Sequence, residues 1–192
     1  AALSGAAQFA WNSLTAAFPA LSLSLNRVLK TQSQDQLKNL LDRAATQTNA
    51  MGAFVNEEAM YFFAYRDRDG ELLDGRRHWT LTFPAGGLPP LGEQGFWSLT
   101  MYDERNFLVA NPIDRYIIRH DTHGLQHDDD GGLTIHLAAD RPDGVLEGNW
   151  LPAARGAFNV ALRTYLPLAP IRDGSWFPPG IVPAPSSATD AG

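Results

Sequence analysis

Phe96-Trp97-Ser98-Leu99-Thr100-Met101-Tyr102 decides the reading of this chain. Apolar and polar residues alternate one for one, with Trp97, Leu99 and Met101 in one phase and Ser98, Thr100 and Tyr102 in the other. Successive side chains of a strand point to opposite faces, so the stretch predicts a β-strand with one apolar and one polar face. The same alternation recurs on both sides of it. Upstream, Trp79, Leu81 and Phe83 stand opposite His78, Thr80 and Thr82. Downstream, Leu133, Ile135 and Leu137 oppose Thr134 and His136, and Phe158, Val160 and Leu162 oppose Asn159, Arg163 and Tyr165. The apolar sets predict the core. The polar remainder predicts antiparallel sheets with one wet face.

Candidate strands run over 59–65, 78–83, 96–102, 107–110, 115–119, 133–137 and 158–165. Between them lie turn formers: Asp67-Arg68-Asp69-Gly70, Leu88-Pro89-Pro90, Asn111-Pro112, Asp130-Gly131-Gly132 and Asp143-Gly144. Many short strands so punctuated argue for a sandwich or barrel. No internal repeat is visible. The first fifty residues read differently. Leu3, Ala7, Ala10, Leu14 and Ala17 share one helical face, and Pro19 ends that helix. Leu21, Leu25, Val28 and Leu29 suggest a second helix, although Leu21, Leu23 and Leu25 also alternate as a strand would. Ser33 and Gln36 form a capping box before a third, with Leu37, Leu40, Leu41 and Ala44 inward. The chain therefore divides into a helical segment over 1–50, a β domain over 51–176 and a Pro/Ser-rich, extended or disordered tail over 177–192.

With 15 basic against 21 acidic residues and no basic run, nucleic acid is excluded as a natural partner. The absence of cysteine removes disulfides, thiolate catalysis and cysteine-type zinc sites. Residues 1–26 carry no Asp, Glu, Lys or Arg, which fits a processed, exported chain or a clipped one and points to the periplasm or the outside of the cell. Polar residues and Pro19 interrupt that run, so it is not read as a transmembrane span. Its apolar stripe needs a covering surface. The expectation is self-association through residues 1–30, with packing on its own sheet as the alternative.

Arg115 beside Tyr116, and Arg163 two residues before Tyr165, are the most informative charges. An arginine on a sheet can clamp a carboxylate or phosphate bidentately beside an aromatic plate, or it can tie strand ends together through an acid such as Asp103 or Asp114. Tyr102 shares the polar phase with Arg163 and Tyr165. Asp74, with Glu58 and Asp103, is a carboxylate near a strand end, and Asp74-Gly75 is also an ordinary turn. His120, His123 and His127 have metal-like spacing, but Gly124 and Asp128-Asp129-Asp130 mark a solvated loop, so no metal and no cofactor is expected. No G-x-S-x-G, phosphate loop or H-E-x-x-H occurs.

A string of motifs adds a resemblance. Its first members are Glu58-Ala-Met-Tyr61, Asp69-Gly70, Leu73-Asp74-Gly75, Thr80-Leu-Thr-Phe83 and Leu88-Pro89-Pro90. They continue with 96–102, Asn111-Pro112, Arg115-Tyr116, Asp130-Gly131, Asn149-Trp150-Leu-Pro-Ala153, Phe158, Arg163-x-Tyr165-x-Pro167 and Trp176-x-Pro178-Pro179. In order and spacing they resemble the bacterial domain-of-unknown-function 1214 family over residues 41–180. The resemblance implies a jelly-roll-like fold and brings no catalytic residue with it. The expected architecture is thus a mainly β, jelly-roll-like antiparallel sandwich preceded by two or three helices. The expected role is non-enzymatic: ligand binding or assembly in the envelope, with Tyr102, Arg115, Tyr116, Arg163, Tyr165 and Asp74 as candidate contacts for a small polar or carbohydrate ligand. The alternative is an enzyme acting on such a molecule through Arg, Tyr and a carboxylate.

Overall fold

The computed structural model describes residues 11–13 and 56–185. In chain order these form β1 (Trp11–Ser13), β2 (Ala59–Ala64), β3 (Trp79–Phe83), β4 (Trp97–Asp103), β5 (Ile117–Arg119) and β6 (Leu133–Ala138). A short 3-10 turn (Glu147–Asn149) leads into β7 (Trp150–Pro152), followed by β8 (Phe158–Tyr165), helix α1 (Ala169–Arg172) and β9 (Val182–Pro183). One sheet has the order β1-β2-β8-β4-β5 and the other β7-β6-β3-β9. The chain is mainly β, as the alternation requires.

The apolar phases meet between the sheets. Trp79, Leu81 and Phe83 from β3 and Leu133, Ile135 and Leu137 from β6 pack with Trp97, Leu99, Met101, Phe158, Val160 and Leu162 from β4 and β8 in one buried cluster. The two long edges are closed differently. On one, Arg115 from the segment before β5 donates to the main-chain oxygens of Glu147 and Trp150, tying the first sheet to β7. On the other, Phe62 meets Phe177 and Trp176 edge-on at 5.3 and 5.8 Å, and the Arg68 amide donates to Ile181 O at 2.8 Å.

Several expectations are corrected. Residues 11–13 are not helical; they pair antiparallel with β2, Asn12 opposite Phe63. A strand edge offers unpaired amides and carbonyls, and that pairing outweighs the local helical spacing. The other expected helices, the capping box and most of the 1–30 contact lie outside the described residues. The second sheet is mixed, because β7 runs parallel to β6 with His136 opposite Trp150. Residues 150–152 are not among the candidate strands; Pro152 ends β7, and proline is tolerated in an edge strand. Residues 107–110 form no strand. Asn106 turns the chain with φ of 64°, one bridge joins Tyr102 to Leu108, and Phe107 is 67% exposed. The segment 177–185 is extended but tied down: Ile181 is buried, and Val182 pairs with Thr80.

The wet face is also drier than alternation implies. Ser98, Thr100 and Asn159 are 2%, 5% and 2% exposed. They lie on the central strands β4 and β8, and the Arg163 guanidinium donates to the Thr100 hydroxyl. Buried polar groups must be hydrogen-bonded. Asn159 Nδ2 accordingly donates to Asp103 O and Asn106 Oδ1, each at 3.0 Å. Among the described residues no helix is long and apolar enough to cross a membrane.

Candidate functional site

The outer face of the first sheet brings together the residues with the most chemistry. Arg163 on β8 pairs across to Tyr61 on β2 and to Ser98 on β4, and Ser98 pairs with Arg119 on β5. One row across four strands therefore reads Tyr61, Arg163, Ser98, Arg119. The guanidinium of Arg163 turns along the sheet toward Thr100 and Tyr102 of β4. Nη1 donates to Thr100 Oγ1 and Nη2 to Tyr102 Oη, both at 2.7 Å. The Arg163 Cζ stands 5.8 Å from the Tyr102 ring centre. Both partners are neutral hydroxyls, and among the described residues no carboxylate pairs with Arg163. A guanidinium has five N–H donors, so its remaining ones stay available to an acceptor.

Beside it Tyr165 stacks on Phe96, centroids 4.2 Å apart at 15°. Arg119 places its Cζ 5.8 Å from the Phe96 ring, and His120 lies 6.2 Å from the same ring. Arg119 is neutralised by Asp121, which takes Nε–H at 2.8 Å; this pairing holds the Asp121 carboxyl below its ordinary range. The face thus offers a cation without a countercharge among the described residues, a second that has one, and an aromatic plate.

Of the six candidate contacts, Tyr102, Arg163 and Tyr165 share this face. Arg115 does not. It is the staple between the sheets, and its acidic neighbour is Glu147 at 3.8 Å rather than Asp103 or Asp114. Tyr116 donates to Asp114 Oδ1 at 3.2 Å. Asp74 lies elsewhere as well. It bridges to Ala157 and binds Arg76 at 2.6 Å, which holds its carboxyl below the usual range. Ala157 precedes Arg163 by six residues along the β8 direction, a span of roughly 20 Å at about 3.3 Å per residue.

The outer face of the second sheet carries a pair that no local spacing announces. His78 Nε2 and His136 Nδ1 are 2.8 Å apart, both rings half-buried, on chain segments 58 residues apart. Only the register, Trp79 opposite Leu137 and Thr80 opposite His136, makes them neighbours. Burial lowers the pKa of both, and for His136 the neighbouring His78 adds to that lowering while Asp128 opposes it. The sign follows. A histidine with a lowered folded pKa is protonated more readily in the unfolded chain, so stability is fully present above about 6.5 and declines as pH falls through that value. Thermal melts between pH 8 and 5 should show that decline, and it should be shallower in His136→Gln. Equal slopes in the two proteins would remove the pair as its cause. In the loop over 120–127, His127 Nδ1 contacts Gly132 O at 3.0 Å. Among the described residues no three His, Cys, Asp or Glu converge as a metal site.

A family model described as protein of unknown function (DUF1214) matches residues 58–169. The chain belongs to that family. No curated protein matches it. Among solved structures it is similar to the VPA0106 protein of Vibrio parahaemolyticus, with a TM-score of 0.63 and 23% identity over 83% of this chain. The chain spans 37% of that protein's length, and the likeness is one of fold. A crystal structure of an uncharacterised Burkholderia cenocepacia protein aligns at a TM-score of 0.40 and 15% identity, covering 70% of this chain and 31% of that one. In this DUF1214 domain the motif over 96–102 and the Arg163-x-Tyr165 motif build one sheet face, whereas Asn149-Trp150-Leu-Pro builds β7 and its anchor.

Proposed function

We propose that this DUF1214 domain is a binding module, built as a jelly-roll-like sandwich, that takes a small carboxylated ligand on the outer face of its first sheet. A uronic acid is the form such a ligand takes among carbohydrates. The observation that carries the reading is Arg163: half-buried, fixed by two neutral hydroxyls, and unpaired with any carboxylate among the described residues. Orienting a guanidinium costs side-chain entropy, and Thr100 and Tyr102 have already met that cost before a ligand arrives. The Phe96–Tyr165 stack supplies an apolar plate for a ring. Binding is favoured over catalysis because hydrolysis would call for a carboxylate beside Arg163, and Asp74 is roughly 20 Å away by strand length.

Calorimetric titration of the protein with D-glucuronate and with D-glucose tests this. Glucuronate should bind, and glucose should bind at least tenfold more weakly. A charge-assisted hydrogen bond contributes about 1.5–3 kcal/mol, so Arg163→Ala should lose tenfold or more in affinity for the acid, and Arg163→Lys should recover only part of it. Unchanged glucuronate binding in a folded Arg163→Ala protein would sink the reading.

A further inference from the structure

The geometry points to a divalent transition-metal site at His78 and His136, on the sheet opposite the Arg163 face and independent of it. The two imidazole nitrogens converge at 2.8 Å, with ring centres 5.0 Å apart and planes tilted by 38°. His136 stands on β6 and His78 immediately precedes β3, which is locked in antiparallel register with β6; the His78 carbonyl accepts the Ala184 amide at 2.8 Å, which fixes that residue against the end of the sheet. Two histidine ligands of one zinc ion, each at 2.0–2.1 Å and spread at a tetrahedral angle, sit about 3.3 Å apart. The pair needs to open by only a few tenths of an ångström, which ring rotation supplies.

In the metal-free pair one ring donates N–H to the other. To ligate, the donating ring moves its proton to its other nitrogen, so both nitrogens present lone pairs and no net proton is lost. That exchange needs neutral rings, because a protonated imidazole has no lone pair to offer a cation. On the same face Asp128 Oδ2 accepts the Thr134 hydroxyl at 2.8 Å, placing negative charge beside His136 to balance a cation. Two protein nitrogens leave the remaining positions to water. The ligand class is a borderline ion that favours imidazole, such as zinc, nickel or copper.

The test is calorimetric titration of the full chain, made without a histidine tag, with zinc chloride at pH 7.5. One equivalent should bind. Binding should be lost in His78→Ala and in His136→Ala, and retained in a triple variant with His120, His123 and His127 all changed to alanine. Should either single variant fail to fold, imidazole signals in NMR of the native protein decide: zinc must shift those of His78 and His136. No binding, binding that survives His136→Ala, or shifts confined to the three loop histidines would each overturn the site.

Discussion

Trp97→Ala should cost about 3–5 kcal/mol of stability, the range for truncating a buried aromatic side chain. Trp97 is 4% exposed on the central strand β4, and its ring lies 6.2 Å from Phe83 of the other sheet. Removing it opens a void between two rigid sheets, which collapse poorly around it. Phe158, 3% exposed at the start of β8, should behave alike on truncation to alanine. For a chain of this length each kcal/mol moves the melting midpoint by about 2–4 °C, so each variant should melt on the order of 10 °C low. The control is Phe107→Ala, which removes a ring of similar size from a position that is 67% exposed. It should stay within about 0.5 kcal/mol of the parent. Thermal melts of the three proteins decide the matter. If Trp97→Ala melts with the parent, Trp97 does not lie on the buried face of β4.

The burial of Trp97 and Phe158 was readable from alternation; the exposure of Phe107 was not, because 107–110 read as a strand. Period two placed Trp79, Trp97, Leu133 and Phe158 inside, and all are buried. It fails where a strand owes its existence to a distant partner. Trp150-Leu151-Pro152 has too few residues to show a period, and β7 forms because β6 presents an edge to it. Val182-Pro183 pairs with β3 across about a hundred residues of chain for the same reason. Polar alternation also cannot tell a wet face from one roofed by its own longer side chains. Thr100 reads as solvent-facing until Arg163 is seen donating to its hydroxyl. The candidate site was legible to the extent that Tyr102, Arg163 and Tyr165 share one phase. Arg115 carried the same local signal, an arginine beside a tyrosine. Whether it turned to solvent or to β7 depended on the stacking of the sheets, which no short motif encodes. His78 and His136 were both placed on polar phases, and only the register of β3 against β6 could join them.

Gly148→Ala should be among the most damaging single-methyl changes in the chain, at about 3 kcal/mol or more. A Cβ at Gly148 would collide with the Gly124 carbonyl and come within 2.5 Å of the Leu125 amide nitrogen, both backbone atoms that no rotamer change can move. The contact is this close because the next residue fastens the two segments together. Asn149 Nδ2 donates to Gln126 O at 2.8 Å and Thr134 O at 2.9 Å, and its Oδ1 accepts the Gln126 amide at 3.0 Å. Asn149 is 7% exposed, so the groups it serves are largely shielded from water. Forcing Gly148 away must stretch these bonds, adding the loss of buried hydrogen bonds to the overpacking itself. Asn149→Ala should therefore cost a similar amount, and the double variant should cost much less than the sum, because each change breaks the same junction. The comparison is Gly144→Ala. Its φ of 75° makes alanine strained, but nothing lies within 4 Å of the new methyl, so only the backbone term of about 1–2 kcal/mol applies. Urea unfolding of the four proteins reads the costs, and hydrogen exchange at the Gln126 amide should quicken in both junction variants but not in Gly144→Ala. Additive costs, or a Gly148→Ala protein no weaker than Gly144→Ala, would show that the 124–126 loop yields and that Asn149 does not hold it.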